Sequence, residues 1–320
     1  MKKAKKTRGI FCGLLIIIVV IICGYKYSSI FYKKSLYRNT DSQKSEIVHL
    51  IAAEADTIVS IPVDSLNSPN AILVELDTHK ILMKKNSSRK IYPASLTKIM
   101  TTIVAIEKLS NLQENIKLPS SMFEKLYKAD ASMAGFKPDE KVRAIDLLYG
   151  IMLPSGAECC MGLSNYIAGS EKNFVELMNK KAIALGMMDT HFNNSTGLQD
   201  DNHYTTVKDL AILLSYALRN NTFRDIFTAS HYSTLSTNKH PDGITFQSTM
   251  FKNIKNPVID GGKILGGKTG YTNEAGLCLA SLAKKDGKEY ILVTAGAKGN
   301  HESEQYNIED AYAVYSEIGK

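Results

Sequence analysis

Apolar residues set the rhythm of the chain. An unbroken apolar stretch runs from Ile10 to Tyr25, directly behind a basic opening. Residues 26–66 are polar, charged and aperiodic, with Pro62 near the end and Pro69 just beyond, which reads as a linker. Apolar runs at 71–76 and 81–83, parted by the turn-forming 77–80, predict a β-hairpin. Behind Pro93, Leu96, Ile99, Met100, Ile103, Val104 and Ile106 recur at three and four spacing and predict a helix. The same spacing predicts helices at 144–152, 158–167, 171–185 and 206–218, with Asn173, Thr206 and Asn221 as caps. From residue 231 the period shortens to two, and 244–246, 277–279 and 290–294 predict strands. An amphipathic helix at 302–318 closes the chain. Strands at both ends with helices between predict an α+β fold. One antiparallel sheet is built from the two chain ends, flanked by helices, with an all-helical subdomain inserted at about 110–225.

Charge adds a division. The formal net charge is +7, yet residues 1–40 hold nine Lys or Arg and no acid, which leaves 30 basic against 32 acidic residues elsewhere. The basicity belongs to the N-terminus, and no later stripe of Lys and Arg interleaved with aromatics marks a nucleic-acid surface. Basic residues 1–8 followed by the apolar 9–25 predict a cytoplasmic tail and an uncleaved signal anchor, with the linker at 26–66 and a domain at 67–320 on the extracytoplasmic face. A cleaved signal peptide, leaving a secreted domain, is the alternative. Five cysteines form no disulfide framework, and no Cys/His spacing suggests zinc.

The candidate chemistry starts at Ser95. Pro93 presets a helix start, so Ser95 falls in the first turn and Lys98 one turn on, on the same face. A serine hydroxyl needs a base to take its proton. An amine desolvated by apolar neighbours can lose its charge and serve as that base. The helix N-terminus supplies N–H groups where an oxyanion would form. Other Ser-x-x-Lys pairs, Ser87/Lys90, Ser236/Lys239 and Ser281/Lys284, sit in polar or strand-like contexts and lack this setting. Ser155, at a break between two helices, suits a proton relay or an N-cap. Lys268-Thr269-Gly270, behind two glycines and leading into a strand, offers a cation and a hydroxyl suited to a carboxylate on an edge strand. The plainer account is a glycine turn with a solvated lysine.

Together, Ser95/Lys98, then Ser155, then Lys268-Thr269-Gly270 resemble the motifs of the penicillin-recognising serine enzymes. Flanking text is similar to the serine D-alanyl-D-alanine carboxypeptidases, the low-molecular-mass penicillin-binding proteins: Tyr92 to Thr101, Asn194 to Leu198 with His203 to Thr206, and Gly267 to Asn273. The resemblance covers about residues 68–320 and implies a three-layer transpeptidase/beta-lactamase-like fold. It implies Ser95 as acylated nucleophile, Lys98 as base and Ser155 as relay. Lys268 and Thr269 would hold the substrate carboxylate beside Gly270, and the N–H groups of Ser95 and Tyr271 would form the oxyanion hole. The implied reaction releases the last D-alanine from a peptidoglycan stem pentapeptide, with beta-lactams as inhibitors and no metal or organic cofactor.

Two departures stand out. The second motif of these enzymes usually ends in asparagine, and here the residue is Ala157. The chain also ends soon after the final helix, so the N-terminal segment is expected to provide membrane attachment. Two rival readings follow. A serine beta-lactamase would need a carboxylate to activate water, for which Glu158 and Glu171 are available. A catalytically weak wall-peptide sensor would be consistent with Ala157.

Overall fold

The computed structural model describes residues 63–319. The basic tail, the apolar segment and the linker up to residue 62 lie outside the described residues. The last linker residues are already folded. Val63–Ser65 forms a 3₁₀ turn, Leu66 is buried with Ile308, Ala311 and Val314, and Asp310 accepts the N–H groups of Asn67 and Ser68, each at 2.8 Å.

The hairpin is β1 (Asn70–Glu75) and β2 (Ile81–Lys85). A 3₁₀ turn at Ala94–Leu96 feeds helix α1 (Thr97–Lys108). The inserted region carries α2 (Phe123–Lys128), α3 (Ala144–Met152), α4 (Ala157–Ala168), α5 (Glu171–Ala184), α6 (Val207–Ala217) and α7 (Asn221–Thr228). It also contains a ribbon of β3 (Asn115–Lys117) and β4 (Lys141–Arg143), which three-residue strands left invisible to periodicity. A second ribbon follows, β5 (His231–Ser233) with β6 (Thr245–Gln247), then α8 (Thr249–Asn253). The chain closes with β7 (Val258–Ile259), β8 (Gly262–Thr272), β9 (Gly276–Lys285), β10 (Lys288–Ala297) and α9 (Tyr306–Glu317).

The six-stranded sheet has the order β2-β1-β10-β9-β8-β7, antiparallel at every pairing. Both faces are covered, which is why its central strands read as continuous apolar runs. Alternation still sorts them. Ile72, Val74, Ile291, Val293, Ala280 and Leu282 face the large helical layer. Leu73, Leu279, Leu292 and Ala283 face the layer containing α9. Helix α1 is buried from Thr97 to Ala105, as a helix enclosed between other elements must be.

The caps differ in detail from expectation. Thr206 caps α6 by accepting the N–H of Asp209 at 3.0 Å. For α5 the cap is Ser170, and Asn173 is the residue whose N–H it accepts, at 3.2 Å. For α7 it is Asn220, one position ahead of Asn221, accepting from Phe223. Each true cap places its side-chain oxygen over the N–H three residues on, and a helix pattern locates such a start only to within a few positions.

Candidate active site

Lys98 Nζ lies 3.1 Å from Ser95 Oγ and 2.5 Å from the carbonyl oxygen of Thr196. Burial holds the ammonium below the ordinary lysine value of 10.5, outweighing the opposite pull of Cys160 and Glu158. A base poised next to a hydroxyl in a desolvated setting is what serine acylation requires. Ser95 itself sits in the 3₁₀ turn that precedes α1, and Ala94 beside it adopts a left-handed φ of +46°.

The Ser155 hydroxyl lies near the same spot. Ser155 occupies the break between α3 and α4 with a left-handed φ of +69°. The N-cap of α4 is Gly156, so the capping account of Ser155 does not hold. Its buried Oγ has no hydrogen-bond partner among the described residues, an arrangement that costs stability unless a ligand or solvent engages it. Ser95, Ser155, Thr269, Gly270 and Tyr271 border one cleft of about 350 Å³.

Lys268 is not a solvated surface lysine. It is fully buried, donates to the Thr269 carbonyl at 2.7 Å, and is held well below the ordinary lysine range by burial and by the like charge of Lys98. Thr269 Oγ1 pairs with Thr249 Oγ1 at 2.7 Å, and the Thr249 N–H donates to the Leu153 carbonyl at 3.0 Å. That relay ties β8 to the Ser155 loop. β7 pairs only with Gly262 and Lys263, so Lys268 to Tyr271 have a strand neighbour, β9, on one side. The glycines before and within this stretch admit protein rather than ligand. A Cβ at Gly266 would stand 2.4 Å from the Phe227 oxygen, one at Gly267 2.4 Å from Met250 Sδ, and one at Gly270 3.0 Å from Ser95 N. The last contact brings β8 directly against the turn that carries the nucleophile. Tyr271 stacks edge-on with His301, ring centroids 5.0 Å apart.

Several positioning groups come from the flanking stretches 92–101, 194–198 and 203–206, where resemblance marked the text but no role. The Thr196 carbonyl that holds Lys98 belongs to a loop pinned at many points. Asn194 Oδ1 accepts the N–H groups of Thr196 and Gly197 at 3.1 and 2.7 Å. Thr101 Oγ1 donates to the Ser195 carbonyl at 2.6 Å. His203 Nδ1 accepts the Asn193 and Asn194 N–H groups, while Nε2 meets Thr97 Oγ1 at 2.7 Å. Those acceptor contacts assign the proton to Nε2. Burial lowers this imidazole to about 4, against the pull of Asp200, so it is neutral at pH 7.

The two glutamates are otherwise engaged. Glu171 Oε1 accepts the N–H and hydroxyl of Ser195 at 3.1 and 2.9 Å. Glu158 Oε1 accepts three backbone N–H groups, from Ala134, Gly135 and Phe136. Neither borders the cleft. Among the described residues, no three His, Cys, Asp or Glu side chains gather so as to hold a metal ion.

A profile of the D-alanyl-D-alanine carboxypeptidase family matches residues 55–299. The D-alanyl-D-alanine carboxypeptidase DacF of Bacillus subtilis is 35% identical over 232 residues, covering 71% of this chain and 57% of that protein. DacA of Escherichia coli is 30% identical over 259 residues, covering 77% and 61%. The chain thus spans about three-fifths of the length of these two relatives. The crystal structure of the Streptomyces K15 DD-transpeptidase superposes with a TM-score of 0.70 at 26% identity, over 78% of this chain and 96% of that one. On a profile match that takes in most of its length, and on a shared fold, the chain belongs to the D-alanyl-D-alanine carboxypeptidase family.

Proposed function

We propose that the protein is a serine D,D-carboxypeptidase that removes the terminal D-alanine of a peptidoglycan stem pentapeptide through an ester on Ser95. The observation that carries this reading is the 3.1 Å approach of Lys98 Nζ to Ser95 Oγ, in a cleft shared with Ser155 and Thr269. Neutral Lys98 takes the Ser95 proton as Oγ attacks the penultimate carbonyl. The N–H groups of Ser95 and Tyr271 receive the oxyanion. Ser155 passes a proton to the departing amine of D-alanine, and water then hydrolyses the ester. Thr269 and Lys268 hold the terminal carboxylate. A beta-lactam that mimics the terminal dipeptide would open on Ser95 in the same way. The basic and apolar pattern of residues 2–25 supports a domain tethered at the outer face of the membrane.

The test uses the full-length chain in detergent, a stem pentapeptide and a fluorescent penicillin. Wild type is expected to release D-alanine and to take the label, and Ser95→Ala to do neither. Rapid penicillin hydrolysis without D-alanine release would establish a beta-lactamase instead. Stable labelling without release from any stem peptide would establish a sensor.

A further inference from the structure

Ala157 contributes no polar atom to the cleft. It is 1% exposed and packs in the core. Three consecutive residues at this point do something else: each engages the segment 132–136. A Cβ at Gly156 would stand 2.7 Å from Ala134 Cβ and 3.0 Å from Ala134 N, so only glycine lets the segment seat there. The Ala157 N–H donates to the Ser132 carbonyl at 2.8 Å. Buried Glu158 takes the N–H groups of Ala134, Gly135 and Phe136 at 2.7, 2.9 and 3.3 Å on one carboxylate oxygen. From the far side, Phe246 meets the ring of Phe136 edge-on at 5.7 Å.

The clamped segment presents one residue to the cleft, Ser132, which shares it with Ser95 and Ser155. The Ser132 side chain is exposed there. Thr249, another hydroxyl of the cleft, is already paired with Thr269. Resting on the carboxypeptidase reading above, we infer that Ser132 is a specificity-determining residue. Its hydroxyl hydrogen-bonds the backbone of the bound stem peptide and fills the place of the asparagine amide that position 157 lacks. A hydroxyl can both donate to a peptide carbonyl and accept from a peptide N–H. Its rigid mounting means that little ordering remains to be done on binding.

The experiment measures kcat and KM for D-alanine release from a stem pentapeptide, with the full-length chain in detergent. Loss of one neutral hydrogen bond corresponds to a fall of about 3- to 10-fold. Ser132→Ala is expected to lower kcat/KM by that factor, mainly through KM, with an unchanged unfolding midpoint. Ser132→Thr, which keeps the hydroxyl, is expected to retain at least half of the wild-type value. Adding Ala157→Asn to Ser132→Ala is expected to recover part of the loss. Peptide turnover by wild type that Ser132→Ala leaves unchanged would overturn this inference alone. Wild type inert toward both peptide and penicillin would overturn the carboxypeptidase reading and this inference with it.

Discussion

Gly197→Ala tests whether the loop holding Lys98 and the turn holding Ser95 are packed as tightly as the catalytic reading needs. Gly197 has φ +82°, and an added Cβ would lie 1.9 Å from the Ala94 carbonyl oxygen and 2.5 Å from its carbon. Carbon and oxygen normally approach to about 3.3–3.6 Å, so two backbones must part by more than about 1 Å. The left-handed conformation costs alanine about 1–2 kcal/mol, and overpacking adds about 1–3 kcal/mol. Destabilisation of about 2–5 kcal/mol follows. Relief can come from the loop, which moves the Thr196 carbonyl and with it Lys98, or from Ala94, which moves Ser95. A displacement of about 1 Å at reacting groups costs about 100-fold in rate. Gly169→Ala is the control, because Gly169 has a similar φ of +75° at the end of α4 but nothing within 4 Å of the added carbon. It is expected to cost only about 1–2 kcal/mol and to leave acylation unchanged. Urea denaturation followed by circular dichroism gives the stabilities, and fluorescent-penicillin labelling gives the rates. If Gly197→Ala matches Gly169→Ala in both, the packing argument is wrong.

Further outcomes follow from two buried titrating groups. The penicillin acylation rate should rise with pH along a limb placed below 10.5, because burial lowers Lys98 and its neutral form is the base; Lys98→Arg should lose about 10²–10⁴-fold, and a limb near the ordinary lysine value would contradict the assignment. Between that lowered native value and 10.5 the unfolded chain binds the extra proton, so Lys98 makes stability rise with pH there. For His203, lowered from 6.5 to about 4, the unfolded chain again binds the proton first, so stability should fall by up to about 3 kcal/mol as pH drops through that window. His203→Gln should flatten the slope, and equal slopes in urea titrations of the two proteins would refute it.

Much of this was visible in the chain itself. Period-two patterns and mixed three-and-four spacing located the hairpin, the four long helices of the insertion and the C-terminal strands, because burial on a sheet or helix face imposes those periods directly. Ser95 and Lys98 were placed on one face by spacing alone. What stayed hidden has no side-chain pattern. The Thr196 carbonyl is a backbone atom, and every residue has one. The glycines of 266–270 make room for Phe227, Met250 and the Ser95 turn, contacts set by residues far off in sequence. Glu158 is an available carboxylate for water activation on the rival beta-lactamase reading. Its engagement with 134–136 depends on a loop of no regular structure, which periodicity does not reach.

The pairing of β1 with β10 has a consequence for timing. Asn70 lies opposite Ala295, 225 positions later, so the hairpin that leads to Ser95 gains its inner neighbour only once residue 295 has been made. Closing so long a loop comes late and slowly in folding. A nascent chain with β10 unmade therefore leaves β1 with an open edge on its inner side, and the sheet behind the Ser95 turn stays incomplete.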